Sequence, residues 1–301
     1  MTIQYDITHT TTYRYARAVR FGEHRVMFRP RDSHDLRVLA TDLVVSPDAA
    51  IRMIQDPHSN SVALVTPLAL ADQLTIVCSF RIEHALGNSL ELPLAPGAEY
   101  FPFAYSVEER FDLEHYLRPH YDDPEGRLTA WARQFLRTDG PTGTRAMLLA
   151  MNQHIRNSLV YAGRNEEGTQ TPIETLSRGS GSCRDFALLM MEAARRLGVA
   201  TRFVSGYLYD PRRDGMPLDE TEEGSPASVT GAGSTHAWLQ AYLPGAGWVP
   251  FDPTNNLTGG AQLIRVGVAR DPRQAAPISG SWFGERDAYL GMTVDVQVRR
   301  L

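Results

Sequence analysis

GSGSCRDF, residues 179–186, sets one of the chain's two cysteines directly after a Gly/Ser turn and directly before a helical pattern. A cysteine there either fills a gap in the core or serves as an activated thiolate. Downstream, Phe186, Met190, Ala193, Ala194 and Leu197 recur at helical spacing and mark one buried face, with Glu192, Arg195 and Arg196 expected on the other side. Gly198 suits the C-terminal cap. Ser182, with Asp185 three residues on, matches a capping-box start, which makes Ser182 the N-cap and Cys183 the first helical residue. Unsatisfied N–H groups and the positive end of the helix dipole favour a thiolate at that position.

A thiolate nucleophile needs a general base that can then protonate the leaving group. Gly233-Ser234-Thr235-His236-Ala237-Trp238-Leu239 puts a histidine at the start of an apolar strand. After a turn at Pro244-Gly245-Ala246-Gly247, the chain returns through Trp248-Val249-Pro250-Phe251-Asp252. A five-residue loop over 242–246 would set 241 opposite 247 and His236 opposite Asp252 on one face. A carboxylate there can hold the imidazole tautomer and stabilise the imidazolium.

The composition is that of a folded protein, with 43% hydrophobic and 22% charged residues, and 301 residues suffice for two domains. No apolar run approaches the roughly 18 residues of a membrane span, and the N-terminus, MTIQYDITHTTTYRY, lacks the pattern of a signal peptide. Cys78 and Cys183, far apart in sequence, make neither a disulfide framework nor a zinc site, so a reducing cytoplasm is expected. Cys78, inside LTIVCSF, is expected to be a buried structural residue. A net charge of −5 without a basic run argues against nucleic acid as a partner. All 30 basic residues are arginine, so the chain offers no ε-amine to its own chemistry.

Residues 1–105 read as an antiparallel β-sandwich: Ile3-Tyr5-Ile7 alternates with polar residues, and Val38–Val45 and Leu74–Ile82 are further β-rich runs. Pro93-Leu94-Ala95-Pro96-Gly97 reads as a linker. Helices are expected near Glu125–Arg137 and Thr144–Ser158, with His154 as a core histidine of the second. Strands follow the cysteine helix, at Thr201–Tyr209, Thr235–Leu243 and Trp248–Asp252. This order predicts an α+β unit over 106–301, C-terminal strands included. Asp122-Asp123 and Glu166-Glu167 read as solvated acidic pairs. The polar stretch 210–233, rich in Gly, Pro and acidic residues, reads as a surface insertion or as a lid over Cys183.

SGSCRDFALLMMEAARRLGVATRFVSGYLY followed by STHAWLQAYLPGAGWVPFDPTNN closely resembles the core of the bacterial transglutaminase-like superfamily, over roughly 145–257. The opening, YDITHTTTYRYARAVRFGEHRVMFRPR, is similar to the β-rich N-terminal region that accompanies this core in many bacterial members. The resemblance implies a core related to papain-like cysteine proteases and acyl transfer at a carboxamide. Cys183 would be the nucleophile, His236 the proton shuttle and Asp252 its orienter. The Cys183 N–H and Tyr161 would hold the oxyanion, and Arg184 and Asp185 would support the helix start. No metal or cofactor is implied. A peptide or protein amide is the expected substrate, with hydrolysis ahead of amine transfer. A non-catalytic binding module is the alternative from another class.

Overall fold

Alternation builds the first layer. In the first strand Tyr5, Ile7, His9 and Thr11 point inward, and in the sixth Leu74, Ile76, Cys78, Phe80, Ile82 and His84 do the same. The computed structural model describes residues 2–85, 87, 89–163, 168–214, 230, 233–260 and 262–301. It opens with β1 (Thr2–Phe21), β2 (His24–Val26), β3 (Leu36–Ser46), β4 (Ala49–Gln55), β5 (Ser61–Pro67) and β6 (Ala71–Ala85). Next come β7 (Tyr100–Phe101), α1 (Val107–Leu117), α2 (Arg127–Arg133), β8 (Thr142–Gly143) and α3 (Thr144–Ser158). β9 (Val160–Tyr161), α4 (Pro172–Arg178), β10 (Ser180–Gly181) and α5 (Cys183–Arg196) lead to β11 (Thr201–Leu208), β12 (His236–Leu243) and β13 (Gly247–Phe251). The chain ends with β14 (Leu263–Ala269), β15 (Ile278–Ser279), β16 (Trp282–Phe283) and β17 (Tyr289–Arg300).

One antiparallel sheet runs β16-β1-β6-β3 with β17 on β1, and a second runs β15-β2-β5-β4. Their inner faces share a core that includes Tyr5, Ile7, Val26, Phe28, Val65, Ile76 and Ile82. A third sheet, β13-β12-β11-β14, packs against α5. Tyr207 and Ile264 of that sheet also join the N-terminal core. The Tyr207 hydroxyl lies 2.8 Å from Nδ1 of His9, so the two parts of the chain interlock. The fold is α+β, as the element order predicts. The expected division at 105/106 assigns the C-terminal strands to the core unit. In the structure β17 runs along β1, with Tyr5 opposite Arg300 and Tyr13 opposite Met292.

α5 is the centre of the second core. Leu188, Leu189, Met190 and Met191 are fully buried, each contributing about 1.5–3 kcal/mol of apolar transfer. A helix apolar on nearly every side must be surrounded. Glu192 and Arg195, expected toward solvent, are buried as well and pair at 2.7 Å. Glu192 accepts from the N–H groups of His120 (3.0 Å) and Tyr121 (3.3 Å). Arg195 donates to the carbonyls of Tyr116, Thr201 and Arg270. The pair therefore ties loops to the helix. Gly198, at φ +78°, closes α5, with Val199 N–H bonded to the Ala194 carbonyl at 3.0 Å.

Other local expectations shift. The helix expected at 125–137 is the shorter α2, which Asp123 caps by accepting from Leu128 and Thr129 N–H at 3.1 and 2.9 Å. Only Asp122 of that acidic pair is exposed. His154 is half-buried, edge-on to Trp131 and Phe135, rather than in the core. Among the described residues no helix is long and apolar enough to cross a membrane.

Candidate active site

Cys183 is the first residue of α5 and is 7% exposed. The wholly buried Asp185 carboxylate fixes that helix start. Its Oδ2 accepts from Ser182 N–H and from Ser182 Oγ, each at 2.8 Å, and its Oδ1 accepts from Gln170 N–H at 2.7 Å. One side chain thus anchors both the turn before Cys183 and the loop before α4.

His236 opens β12 and is buried, with its Nε2 2.8 Å from Oδ2 of Asp252, also buried. The hairpin that carries them differs in register from the expected one. Its loop is three residues long, with Leu243 opposite Gly247 and Leu239 opposite Phe251. The reason lies in the turn: Ala246 N–H bonds to the Leu243 carbonyl at 3.0 Å, with Pro244 and then Gly245 (φ +89°) at its centre. The shift of two residues preserves the face, because strand side chains repeat every second residue. Asp252 therefore reaches His236 diagonally rather than from directly across.

The opposite ring nitrogen, Nδ1, is buried and makes no well-aligned hydrogen bond in the resting arrangement. Burial alone would discharge this imidazole. The Asp252 charge and hydrogen bond, helped by the Cys183 thiol, outweigh it and lift the His236 pKa to about 10. The balance favours the protonated form of His236 beside Cys183.

Asp252 is itself held. Its Oδ1 accepts from Thr254 N–H at 2.9 Å, and its Oδ2 accepts a second donor, Asn255 Nδ2, at 2.9 Å. Asn255 also clasps Thr230, accepting from its N–H at 2.7 Å and donating to its carbonyl at 3.1 Å. The reading of the sequence stopped at Asp252 and missed Asn255. The signal was the polar run Thr254-Asn255-Asn256 directly after Asp252-Pro253.

Tyr161 sits in β9 beside β10, opposite Gly181, and meets Phe186 edge-on at 6.4 Å. Burial, then the nearby Cys183, push its hydroxyl up to about 12, so it remains a proton donor at neutral pH. Cys78 is remote and buried in the sandwich, and burial raises its thiol to about 12. Of the polar stretch expected to be an insertion or lid, residues 215–229, 231 and 232 lie outside the described residues, as do Glu166 and Glu167.

Comparison with known proteins agrees with this architecture. Residues 129–253 match the transglutaminase-like superfamily, and residues 5–83 match the bacterial transglutaminase-like N-terminal region. The chain is 27% identical to the uncharacterized protein ML0607 of Mycobacterium leprae over 291 residues, covering 96% of this chain and 97% of the other. It is 26% identical to the uncharacterized protein Rv2569c of Mycobacterium tuberculosis, covering 98% and 93%. A crystal structure of a candidate cysteine protease from Cytophaga hutchinsonii superposes with a TM-score of 0.71 at 18% identity, covering 99% of this chain and 91% of that one. That likeness extends the shared fold to the full length.

Proposed function

Because the chain joins a transglutaminase-like core to a bacterial transglutaminase-like N-terminal region, we propose that it is a cysteine-dependent enzyme that hydrolyses a peptide, isopeptide or related amide bond. The observation that supports this reading most is the buried His236–Asp252 contact at 2.8 Å beside a cysteine at a helix N-terminus.

In this reading the Cys183 proton rests on His236 Nδ1, and Sγ attacks the carboxamide carbon. The oxyanion accepts from the Cys183 N–H and the Tyr161 hydroxyl. As the C–N bond breaks, the imidazolium gives its proton to the departing amine, leaving a thioester on Cys183. Water then attacks the thioester while His236 takes its proton. The C–S bond breaks, the acid leaves, and the Cys183 thiolate beside protonated His236 is restored. Asp252 holds the ring throughout. No metal enters the scheme, and a reducing cytoplasm would keep Cys183 reduced.

Incubation with a library of peptide amides, followed by mass spectrometry, tests the proposal. Wild type should release amine or ammonia with a thioester adduct on Cys183, and Cys183→Ala should release none. Incorporation of a supplied primary amine in place of water would move the assignment to amine transfer. No adduct and no turnover with wild type would favour a non-catalytic binding module.

A further inference from the structure

At the other end of α5, the structure gathers two arginines and three histidines. Phe203 of β11 pairs with Ala269 of β14, so Arg202 and Arg270 follow at facing positions. Arg202 Nε donates to Gln240 Oε1 at 2.9 Å, and its guanidinium lies 4.2 Å from the Trp248 ring centre. Arg270 Nη1 is 3.5 Å from Nε2 of His120. His58, in the turn between β4 and β5, places Nδ1 3.1 Å from the Tyr116 hydroxyl, and its ring is 6.3 Å from that of His115 on α1. Arg202 and Arg270, with His58, His115 and His120, thus converge from four separate segments.

The nearby carboxylates are engaged elsewhere. Asp56 pairs with Arg25 at 2.9 Å, Asp271 with Arg273 at 2.9 Å and Glu192 with Arg195 at 2.7 Å. Among the described residues, neither Arg202 nor Arg270 forms an ion pair. We propose that Arg202, Arg270, His58, His115 and His120 form a binding site for a divalent tetrahedral oxyanion of sulfate or phosphate size. The site lies on the junction between the N-terminal sandwich and the catalytic sheet. The twelve helical steps from Cys183 to Arg195, whose guanidinium holds the Arg270 carbonyl, separate it from the active site by roughly 18 Å.

The local electrostatics support an anion. Burial, then Arg265 and Arg31, push Arg202 down to about 9. All three histidines are pushed down, first by burial. At His58, Asp56 and a hydrogen bond with Gln274 oppose burial, ahead of the smaller downward pushes of Arg202 and Arg270; His58, Arg270 and Arg195 add to burial at His115, and Arg195 and Arg270 do so at His120. Asp56, Glu114, Glu192 and Asp271 oppose these effects only in part. A bound dianion would reverse the balance, so it binds more tightly as the histidines gain protons.

Sulfate is the probe, because it stays divalent across the range in which histidine titrates. Thermal unfolding is followed against sodium sulfate, with sodium chloride at matched ionic strength as control, for the full chain and for Arg270→Gln and His115→Gln. Both substituted residues are exposed. Wild type should show a saturable rise in midpoint that chloride does not reproduce and that is larger near about pH 6 than about pH 8. Arg270→Gln should weaken apparent affinity at least about tenfold, and His115→Gln should reduce the pH increment. Equal, non-saturating responses in all three proteins would be a bulk salt effect on burial and would overturn the proposal. So would a wild-type response that chloride matches.

Discussion

Asn255 donates to Oδ2 of Asp252 at 2.9 Å, the same carboxylate oxygen that faces His236. With Thr254 N–H on the other oxygen, the Asp252 carboxylate has little freedom to rotate away from the imidazole. Asn255 is thus a positioning residue, and through Thr230 it also anchors the chain that leads into β12.

Asn255→Ala should reduce turnover by roughly ten- to a hundredfold, the scale of a displaced catalytic group. If the effect runs through His236, the pH profile of kcat should change shape, and Asn255→Asp should not restore it. An unchanged profile with a purely thermal defect would assign Asn255 to stability alone.

His236 carries a pH-dependent stability. Its folded pKa is raised from 6.5 to about 10, so its contribution is fully present below about pH 6.5 and is lost as pH rises through about 10. Urea unfolding of wild type and His236→Gln across that window should show wild type losing stability relative to the variant. Parallel curves would contradict a charged resting imidazole.

His9 works in the opposite direction. It is buried between Tyr207 and Thr11, at 2.8 and 3.1 Å, and stacks on Phe28 with ring centres 3.7 Å apart. Burial pushes its pKa down to about 3, so between that value and 6.5 the unfolded chain binds a proton that the folded chain refuses. Stability should therefore fall as pH drops through that interval, and His9→Gln should flatten the fall. Midpoints from acid titration of both proteins check this.

The Glu192–Arg195 pair is fully enclosed and hydrogen-bonded at both ends. Arg195→Met leaves a buried carboxylate without its partner and should cost about 3–5 kcal/mol in urea unfolding. A loss below about 1 kcal/mol would mean the pair is solvated in solution.

These residues also mark how far the sequence could be read. The capping pattern of Ser182 and Asp185, the apolar face from Phe186 to Leu197, the alternation in β1 and the β-rich run of β6 are local signals, and each appears in the structure where it was expected. The hairpin register depended on the chemistry of a single turn, and the Pro244-Gly245 pair closes it more tightly than the assumed loop. The pairing of β17 with β1 spans nearly the whole chain, and no local pattern encodes such a partner. Charged letters at 192 and 195 point outward on any hydropathy reading. They are buried because backbone groups of α1, of the chain just after it, of the start of β11 and of the end of β14 supply the partners they need. Asn255 stayed hidden for a related reason: its role depends on its reaching the Asp252 oxygen that faces His236.

The central claim is that His236 activates Cys183. Its most direct test is the rate at which iodoacetamide alkylates Cys183 near pH 7, followed by mass spectrometry in wild type and in His236→Ala. Cys78, buried in the sandwich with its thiol raised to about 12, serves as the unreactive internal control. The account predicts fast, selective modification of Cys183 in wild type and a loss of at least about tenfold in the variant. Equal rates at Cys183 in the two proteins, with both folded, would contradict it.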